Sequence, residues 1–339
     1  MPFVLAEELT YTRLQSLDFA KTLCMQPVSA LEVHGPHLPL GMDLFMARWM
    51  AEEAGKRFAE RHRDWTVVLM PHLPVGTDEL PLPGSMNVGP NTFFRVLRDH
   101  AHSLVRAGYR YIVVTNGHGG PRHAAAIEYV CRQVSRRYGV HMFSPSILAL
   151  HRIITGQRFA LIEELLGRPL TETERRGLVS GEHAGGWETA FQLANKPECV
   201  EPVWPQLHCD GPPKWRPLAQ LGERWIRRRA SRGKPTEKIR ELTDGLAGSI
   251  GWLLNAQYGY CGPPVSYKGT PSVASVELGK AFREVLARDC LELIEAVVVG
   301  ERTAESVRSI ASDHVAIQPL FLRRIALGVL TALALFVLL

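Results

Sequence analysis

The stretch YIVVTNGHGGPRHAAAIEYVCRQVSRR, residues 111–137, decides the fold class. Its first five residues are β-branched or aromatic and predict a buried strand over Tyr111–Thr115. The glycine-rich turn NGHGG follows, and Pro121 then opens a helical pattern in the first turn, where its missing N–H costs little. A buried strand that leads directly into an amphipathic helix is the repeating unit of a parallel sheet.

The same alternation extends to both sides of this unit. Apolar spacing predicts helices over residues 11–23, 44–62, 91–108, 121–137 and 271–298 and strands over 29–33, 65–70, 111–115 and 140–146. We therefore predict an α/β fold of the three-layer α/β/α type, with a mostly parallel central sheet and functional residues at the carboxyl ends of strands. A C-terminal apolar helix completes the prediction.

The domain organisation follows from length and composition. Residues 1–300 are long enough for one large core, since single cores stop growing near ~250 to 300 residues. Residues 201–238, rich in Pro and Trp and then basic, are interpreted as an insertion. We assign residues 301–324 to a linker and residues 325–339 to an apolar tail.

The tail, IALGVLTALALFVLL, carries no charge and is apolar all round. As a helix it would span roughly 22 Å at ~1.5 Å per residue. That is short of the ~30 Å hydrocarbon layer unless Arg323 and Arg324 extend to the interface. Two interpretations stay open: a membrane anchor, or a helix packed in an oligomer interface or in a partner's groove.

The net charge and the spacing of the cysteines indicate which partners and which cellular compartment to expect. The net charge is +5, and the basic excess is concentrated within residues 224–238. It forms no stripe with interleaved aromatics, so we expect no nucleic-acid partner. The six cysteines are scattered without a CxxC pair, and the N-terminus has no signal peptide. These features indicate a cytoplasmic protein, membrane-associated only if the tail inserts.

Residue types that can bind a metal or transfer a proton are concentrated in the segment LEVHGPHLPLGMD, residues 31–43. Glu32 and His34 are two apart, so on a strand they would point to one face, and the Pro-rich loop returns Asp43 to them. His37 also lies within reach. A mixed set of oxygen and nitrogen donors suits Zn²⁺, Mn²⁺ or Fe²⁺ better than Ca²⁺.

Two further loops have a similar composition. NGHGG places His118 between glycines at the end of the 111–115 strand, where glycines leave the imidazole an uncrowded approach. SGEHAGGWET, residues 180–189, combines His183 with Glu182 and Glu188. Taken singly, each histidine is more often structural. Three such loops at expected strand ends together indicate a metal or substrate site.

These motifs resemble the creatininase family of metal-dependent amidohydrolases. That family's pattern is E-x-H-G-x-H-L-P followed by Asp, then N-G-H-G-G-N, then H-A-G-x-x-E-T. The segments LPLPGSMN and GTPSVASVELGK also match in order. The similarity covers roughly residues 5–298, apart from residues 201–238.

The resemblance implies a dinuclear site for two divalent ions, Zn²⁺, Mn²⁺ or Fe²⁺. The implied ligands are Glu32 and His118 for one ion, His34 and Glu188 for the other, and Asp43 as the bridge. Glu188 is taken because Gly120 stands where creatininase proper has a carboxylate. His183 is the implied proton shuttle, and Glu182 the expected partner of a nearby histidine. Family members form ring-like hexamers, so a homo-oligomer is expected.

The chain departs from the family pattern without losing a ligand. Pro121, Met42 and Val33 replace the usual Asn, Thr and Gln, and the loop before PGS lacks the usual His. These changes alter the pocket wall and argue against creatinine as substrate. We expect metal-activated water to open a C–N bond in a small cyclic amide or formamide. The alternatives are ring opening of a cyclic ketone, cleavage of a peptide-derived precursor, or a non-catalytic membrane-tethered binding protein.

Overall fold

A single sheet forms the middle of the molecule. The computed structural model describes residues 3–179, 182–209, 216–232 and 267–309. The strands are β1 (Phe3–Leu5), β2 (Thr22–Pro27), β3 (Thr66–Leu69), β4 (Tyr111–Thr115) and β5 (His141–Phe143). Their order is β1-β3-β2-β4-β5, and every neighbouring pair of these strands is parallel.

Helices lie on both faces of the sheet, and the described residues form ten of them. They are α1 (Tyr11–Gln15), α2 (Met42–Arg61), α3 (Pro90–Ala107), α4 (Pro121–Tyr138), α5 (Pro145–Ile154), α6 (Phe159–Leu166), α7 (Glu172–Val179), α8 (Gly186–Asn195), α9 (Arg216–Ala230) and α10 (Val276–Val298). Short 3₁₀ turns punctuate the loops between them.

Alternating side chains of the strands divide the interior into two cores. In β2, Leu23 and Met25 belong to the core under α2, α5, α8 and α10, whereas Cys24 belongs to the core under α3 and α4. In β4, Val113 faces the first core, and Ile112 and Val114 face the second. This period of two is what a strand buried on both faces produces. The predicted three-layer α/β/α architecture is confirmed.

The predicted positions of the first helix and of the central strand were wrong. The helix expected over residues 11–23 ends at Gln15, and the central strand is β2, not residues 29–33, which are irregular. Asp18 caps a 3₁₀ turn by accepting a hydrogen bond from the Ala20 N–H at 3.0 Å, which stops the helix before β2. Since β2 is buried on both sides, it shows no polar alternation that would mark it as a strand.

The C-terminal predictions fall partly outside the described residues. The apolar tail, residues 325–339, lies outside them, as does most of the linker. Within the described part, residues 301–309 lie against α4, where the Ser309 N–H donates to Glu128 Oε1 at 2.7 Å. No helix in the described part of the chain has the length and apolar character needed to cross a membrane.

The scattered cysteines were expected to be free thiols, and one of them is not. Cys24, Cys131, Cys199 and Cys290 are free, whereas Cys209 is disulfide-bonded. The spacing of the cysteines in the sequence gave no sign of this bond.

Helices α8 and α10 approach each other very closely at one glycine. A Cβ on Gly279 in α10 would lie 1.8 Å from the carbonyl oxygen of Ala190 in α8 and 2.9 Å from Ala194 Cβ. Only a residue without a side chain allows this contact. The packing matters for the site below because α8 carries Glu188 in its first turn.

Helices α2 and α10 are joined by a two-armed ion pair. Arg57 Nη1 and Nη2 lie 3.1 and 2.8 Å from the two carboxylate oxygens of Glu284. The hydrogen bond from Arg57 lowers the pKa of Glu284 to about 2, against burial, which opposes it. The pair thus ties the helix that carries Asp43 to α10, the helix against which α8 also packs.

We predict that Gly279→Ala destabilises the protein. Alanine normally favours a helix over glycine by about 1 kcal/mol. Here the added methyl group must displace α8, and we expect a net loss of roughly 3 kcal/mol, as in other overpacked cores. The thermal midpoint should fall clearly. Gly177→Ala in α7, where the nearest atom to the new Cβ is 3.8 Å away, should leave the midpoint unchanged or raise it. Equal midpoints for both variants would contradict the close approach.

We also predict an acid-dependent loss of stability through Glu284. Because its folded pKa lies below the ordinary 4.5, its contribution is present above pH 4.5 and disappears as the pH falls towards 2. Glu284→Gln should cost about 1.5 kcal/mol at pH 7, between the values for exposed and buried pairs. The difference from wild type should shrink to zero as the pH approaches 2. Thermal melts across this range measure it.

The control is Glu172→Gln, which removes an exposed pair with Arg176 inside α7. That variant should melt like wild type at every pH. A Glu284→Gln deficit that does not depend on pH would rule out the ion pair as its source.

Candidate metal centre

Side chains from two loops and from the first turns of two helices meet beyond the carboxyl ends of β2 and β4. Glu32 and His34 follow β2, and His118 follows β4, its neighbour in the sheet. Asp43 stands in the first turn of α2 and Glu188 in the first turn of α8. All five are buried. The residues named as ligands from the sequence are therefore brought together by the fold.

Asp43 lies at the centre of this cluster. Its Oδ1 is 3.2 Å from His34 Nε2, and its Oδ2 is 3.1 Å from His118 Nδ1. The carboxylate is 1% exposed, so both oxygens are committed to these partners and not to water. Each oxygen of Asp43 thus faces a different histidine.

The first group of donor atoms comprises Glu32, Asp43 and His118, whose ligand atoms lie within 4.8 Å of one another. Glu32 Oε1 accepts a hydrogen bond from the Leu80 N–H at 2.7 Å. Glu32 Oε2 lies 3.0 Å from His118 Nδ1 but outside hydrogen-bonding geometry, and no donor within the described residues satisfies it. Such an orphaned buried oxygen fits a cation ligand.

The second group comprises His34, Asp43 and Glu188, again within 4.8 Å. Glu188 Oε2 is 3.9 Å from His34 Nε2 and accepts a hydrogen bond from the Ala184 N–H at 2.5 Å. Asp43 is shared by both groups. Two carboxylates and one imidazole in each group form a donor set that suits Zn²⁺, Mn²⁺ or Fe²⁺.

The charges inside the cluster compensate one another. Burial disfavours charge on His34, but the carboxylate of Asp43 outweighs burial and raises the pKa of His34 to about 10. The pKa of His118 is likewise raised against burial, mainly by Glu32. The pKa values of Glu32 and Asp43 are lowered by the same histidines, although burial opposes this. Buried anions need such compensating positive charge, which divalent cations would also supply.

Backbone carbonyls fix the orientation of both histidine rings. His34 Nδ1 lies 3.0 Å from the Glu32 carbonyl oxygen, and His118 Nε2 lies 3.1 Å from that of Thr77. In each ring the nitrogen that faces the carbonyl carries the hydrogen, which leaves the other nitrogen to face Asp43. This is the usual outer support of a metal-binding histidine.

His183 lies beside the cluster at its more open edge. Its Nε2–H donates to the Val33 carbonyl oxygen at 2.8 Å, and its ring centre is 4.3 Å from that of His34. Unlike the five residues above, His183 is partly exposed, and burial lowers its pKa. A ring nitrogen of His183 also forms a group within 4.8 Å with Glu32 and His34.

Glu182 takes a different place from the one expected. The sequence suggested that it partners a nearby histidine. Its carboxylate instead accepts hydrogen bonds from the N–H groups of Gly186 at 2.8 Å and Trp187 at 2.6 Å, at the start of α8. A helix N-terminus offers unpaired donors and a positive dipole end, which attract a carboxylate. Glu182 therefore anchors the helix that carries Glu188.

The loop of residues 71–89 contributes residues that the sequence reasoning did not select. Glu79 and His123 form a third group with His118, also within 4.8 Å. A Cβ on Gly120 would lie 2.4 Å from His118 Nε2 and 2.8 Å from Asp78 Cβ. Asp78 thus occupies the space that a side chain at residue 120 would need. The only sequence signal was a pair of acids, Asp78 and Glu79, in a loop of glycines and prolines.

Comparisons with known proteins identify the family and the fold. The family model of creatininase (creatinine amidohydrolase) matches residues 7–294. The creatinine amidohydrolase of Pseudomonas putida is 26% identical over 208 residues, which are 58% of this chain and 74% of that protein. A crystal structure of creatinine amidohydrolase superposes with a TM-score of 0.52 at 20% identity, covering 87% of this chain and 96% of the other, and so shares its fold.

A second curated relative has a different activity. The mycofactocin precursor peptide peptidase of Mycolicibacterium smegmatis is 33% identical over 107 residues, and the match covers 31% of this chain and 42% of that protein. This chain therefore matches less than half of that relative's length. Because the family model spans nearly the whole length of the described domain, the chain belongs to the creatininase family of metal-dependent amidohydrolases.

Proposed function

We propose that this enzyme is a dinuclear metal hydrolase that opens a C–N bond of a small cyclic amide or formamide. The observation that carries the proposal is the position of Asp43, whose two oxygens each face one of two donor groups. Glu32 and His118 would hold one ion with Asp43, and His34 and Glu188 the other. Related creatininase structures include a manganese form and a zinc–zinc form, which supports Mn²⁺ or Zn²⁺, with Fe²⁺ as the third candidate.

When bound, a pair of divalent ions lowers the pKa of water towards neutrality and polarises the carbonyl under attack. The residues of the chain prepare the site for this chemistry. Buried carboxylates at Glu32, Asp43 and Glu188 supply negative charge, and the carbonyl partners of His34 and His118 hold both rings in place. Burial of the cluster limits access by bulk water.

His183 is the proposed proton shuttle. Its Nε2–H is held by the Val33 carbonyl, so the acceptor nitrogen of the neutral ring is Nδ1. Because burial keeps the pKa of His183 below its usual value, the ring is neutral at pH 7 and can take a proton from the attacking water. It then delivers that proton to the leaving nitrogen. Its partial exposure suits a group that meets the substrate.

A peptide-derived precursor is the second candidate substrate. The local match to a mycofactocin precursor peptide peptidase favours it. The chain also lacks several residues of the family pattern around the pocket, at Val33, Met42 and Pro121. Cleavage of a peptide bond and of a cyclic amide both break a C–N bond at a carbonyl, so one site can serve either.

The organisation of the full chain is part of the proposal. We infer one catalytic domain over residues 1–300 with an insertion at residues 201–238, a linker over residues 301–324 and an apolar tail over residues 325–339. We further propose a homo-oligomer, a hexamer by family resemblance, and contact of the tail with a membrane. Deleting residues 323–339 and sedimenting membranes tests that contact.

The first test of this function is Asp43→Asn. Because Asp43 is shared by both donor groups, the variant should lose both ions and lower kcat by at least ~10³. Metal analysis of the purified protein and turnover of a panel of lactams, formamides and short peptides measure the two effects. Asp64→Asn, an exposed residue paired with Lys21, is the control and should behave like wild type. Full activity in metal-stripped wild-type protein would overturn the proposal.

The second test is His183→Gln, which keeps a side-chain N–H able to reach the Val33 carbonyl. We expect the metal content to stay at the wild-type level and kcat to fall about 10² to 10⁴-fold, as for the loss of a general acid–base group. In the plot of kcat against pH, the slope that reflects titration of His183 should disappear. If the variant loses metal instead, His183 is a ligand, and the shuttle assignment fails.

A further inference from the structure

Glu79 is a buried side chain that finds no hydrogen-bond partner among the described residues. It is 3% exposed, and neither of its oxygens has a hydrogen-bond partner within the described residues. Both neighbouring residues in the sequence form hydrogen bonds. Asp78 accepts hydrogen bonds from Arg122, and the Leu80 N–H donates to Glu32. A buried carboxylate without a compensating donor or cation is unfavourable. The side chains around Glu79 therefore matter.

His123 faces the same space. It is fully buried, and its ring stacks on Phe93 with 4.3 Å between ring centres. Its Nδ1 is 3.4 Å from the Thr77 N–H, and its Nε2 has no partner within the described part of the chain. A buried imidazole nitrogen without a hydrogen-bond partner is a candidate metal ligand.

His118 closes the group from the other side. One nitrogen of its ring lies within 4.8 Å of the ligand atoms of Glu79 and His123. The His118 Nδ1 faces Glu32 and Asp43, whereas its Nε2 points towards the loop of Asp78, as the close approach to Gly120 shows. His118 therefore stands between the centre that shares Asp43 and the group that contains Glu79.

The backbone holds Glu79 inward at a cost. Asp78 has a φ of 78°, a left-handed conformation that is strained for a residue with a side chain. Its carboxylate is fixed by the Arg122 N–H at 2.6 Å and by the Arg122 guanidinium. A Cβ on Gly76 would lie 2.2 Å from Glu79 Oε1 and 3.1 Å from His123 Nδ1. Strain at one position and a glycine at another thus keep this space free for the Glu79 carboxylate.

We propose that Glu79, His118 and His123 form a further binding position for a divalent transition-metal cation, beside the two groups that share Asp43. One carboxylate and two imidazoles are a recurrent donor set for Zn²⁺, Mn²⁺ and Fe²⁺, with positions left open for water or substrate. To bind this cation through Nε2 while Nδ1 faces the proposed pair, His118 gives up its hydrogen bond to the Thr77 carbonyl and releases the Nε2 proton to solvent, so that it becomes a shared imidazolate. Glu79 and His123 belong to this position and not to the proposed pair, so substitutions of these two residues test it apart from the pair.

The experiment counts cations on the full-length protein. Metal-stripped wild type, Glu79→Gln and His123→Gln are loaded with Co²⁺, passed through a desalting column and analysed for cobalt per chain. Both variants should retain one ion fewer per chain than wild type and lack part of the cobalt absorption in the visible range. Asp64→Asn is the control: it removes an exposed carboxylate, paired with Lys21, that belongs to none of these groups, and it should bind as much cobalt as wild type.

Wild-type cobalt content in both Glu79→Gln and His123→Gln would overturn the proposal. Asp43→Asn separates it from the proposed function: that variant should lose the ions of the pair and keep the ion that depends on Glu79. Normal binding by Asp43→Asn together with reduced binding by Glu79→Gln would refute the pair and leave this position standing. If neither cluster variant folds, anomalous diffraction from cobalt-loaded wild-type crystals decides. A peak between Glu79 and His123 supports the position, and its absence refutes it.

Discussion

The structure depends on the burial of one carboxylate between two imidazoles. Asp43 is placed by the first turn of α2, and each of its oxygens lies against a histidine from a different loop. In the interior such a charge is tolerated only if positive charge and hydrogen-bond donors surround it. Glu32, His34, His118 and Glu188 gather around Asp43 under this constraint.

Contacts with α10 hold in place the two helices that carry Asp43 and Glu188. Helix α2 is tied to α10 by the pair of Arg57 and Glu284, and α8 is seated on α10 through Gly279. Glu182 anchors the start of α8, next to Glu188. The helices that carry Asp43 and Glu188 are thus each fixed by contacts of their own. Rigid elements of this kind preorganise a site better than loops alone.

The loop of residues 71–89 adds two acidic residues to the edge of the site. Asp78 fills the space beside Gly120, and Glu79 lies next to His118 from the other direction. The glycine at residue 120 thus leaves room for side chains from a different loop. The strained backbone at Asp78 marks this as a site feature, since strain persists only where surrounding contacts enforce it.

Sequence alone determined the elements whose pattern is local. The strand Tyr111–Thr115, the helices that begin near residues 42, 90 and 121, and the motifs around Glu32, His118 and Glu188 follow from periodicity and composition over short windows. Sequence placed the central strand wrongly, because Thr22–Pro27 is buried on both faces and shows no alternation. Only the tertiary structure decided which loops meet. The parallel pairing of β2 with β4 brings Glu32 and His34 beside His118. The fold of the 71–89 loop brings Glu79 to His123. Contacts between residues so far apart in the chain depend on strand order and packing, which no local pattern encodes.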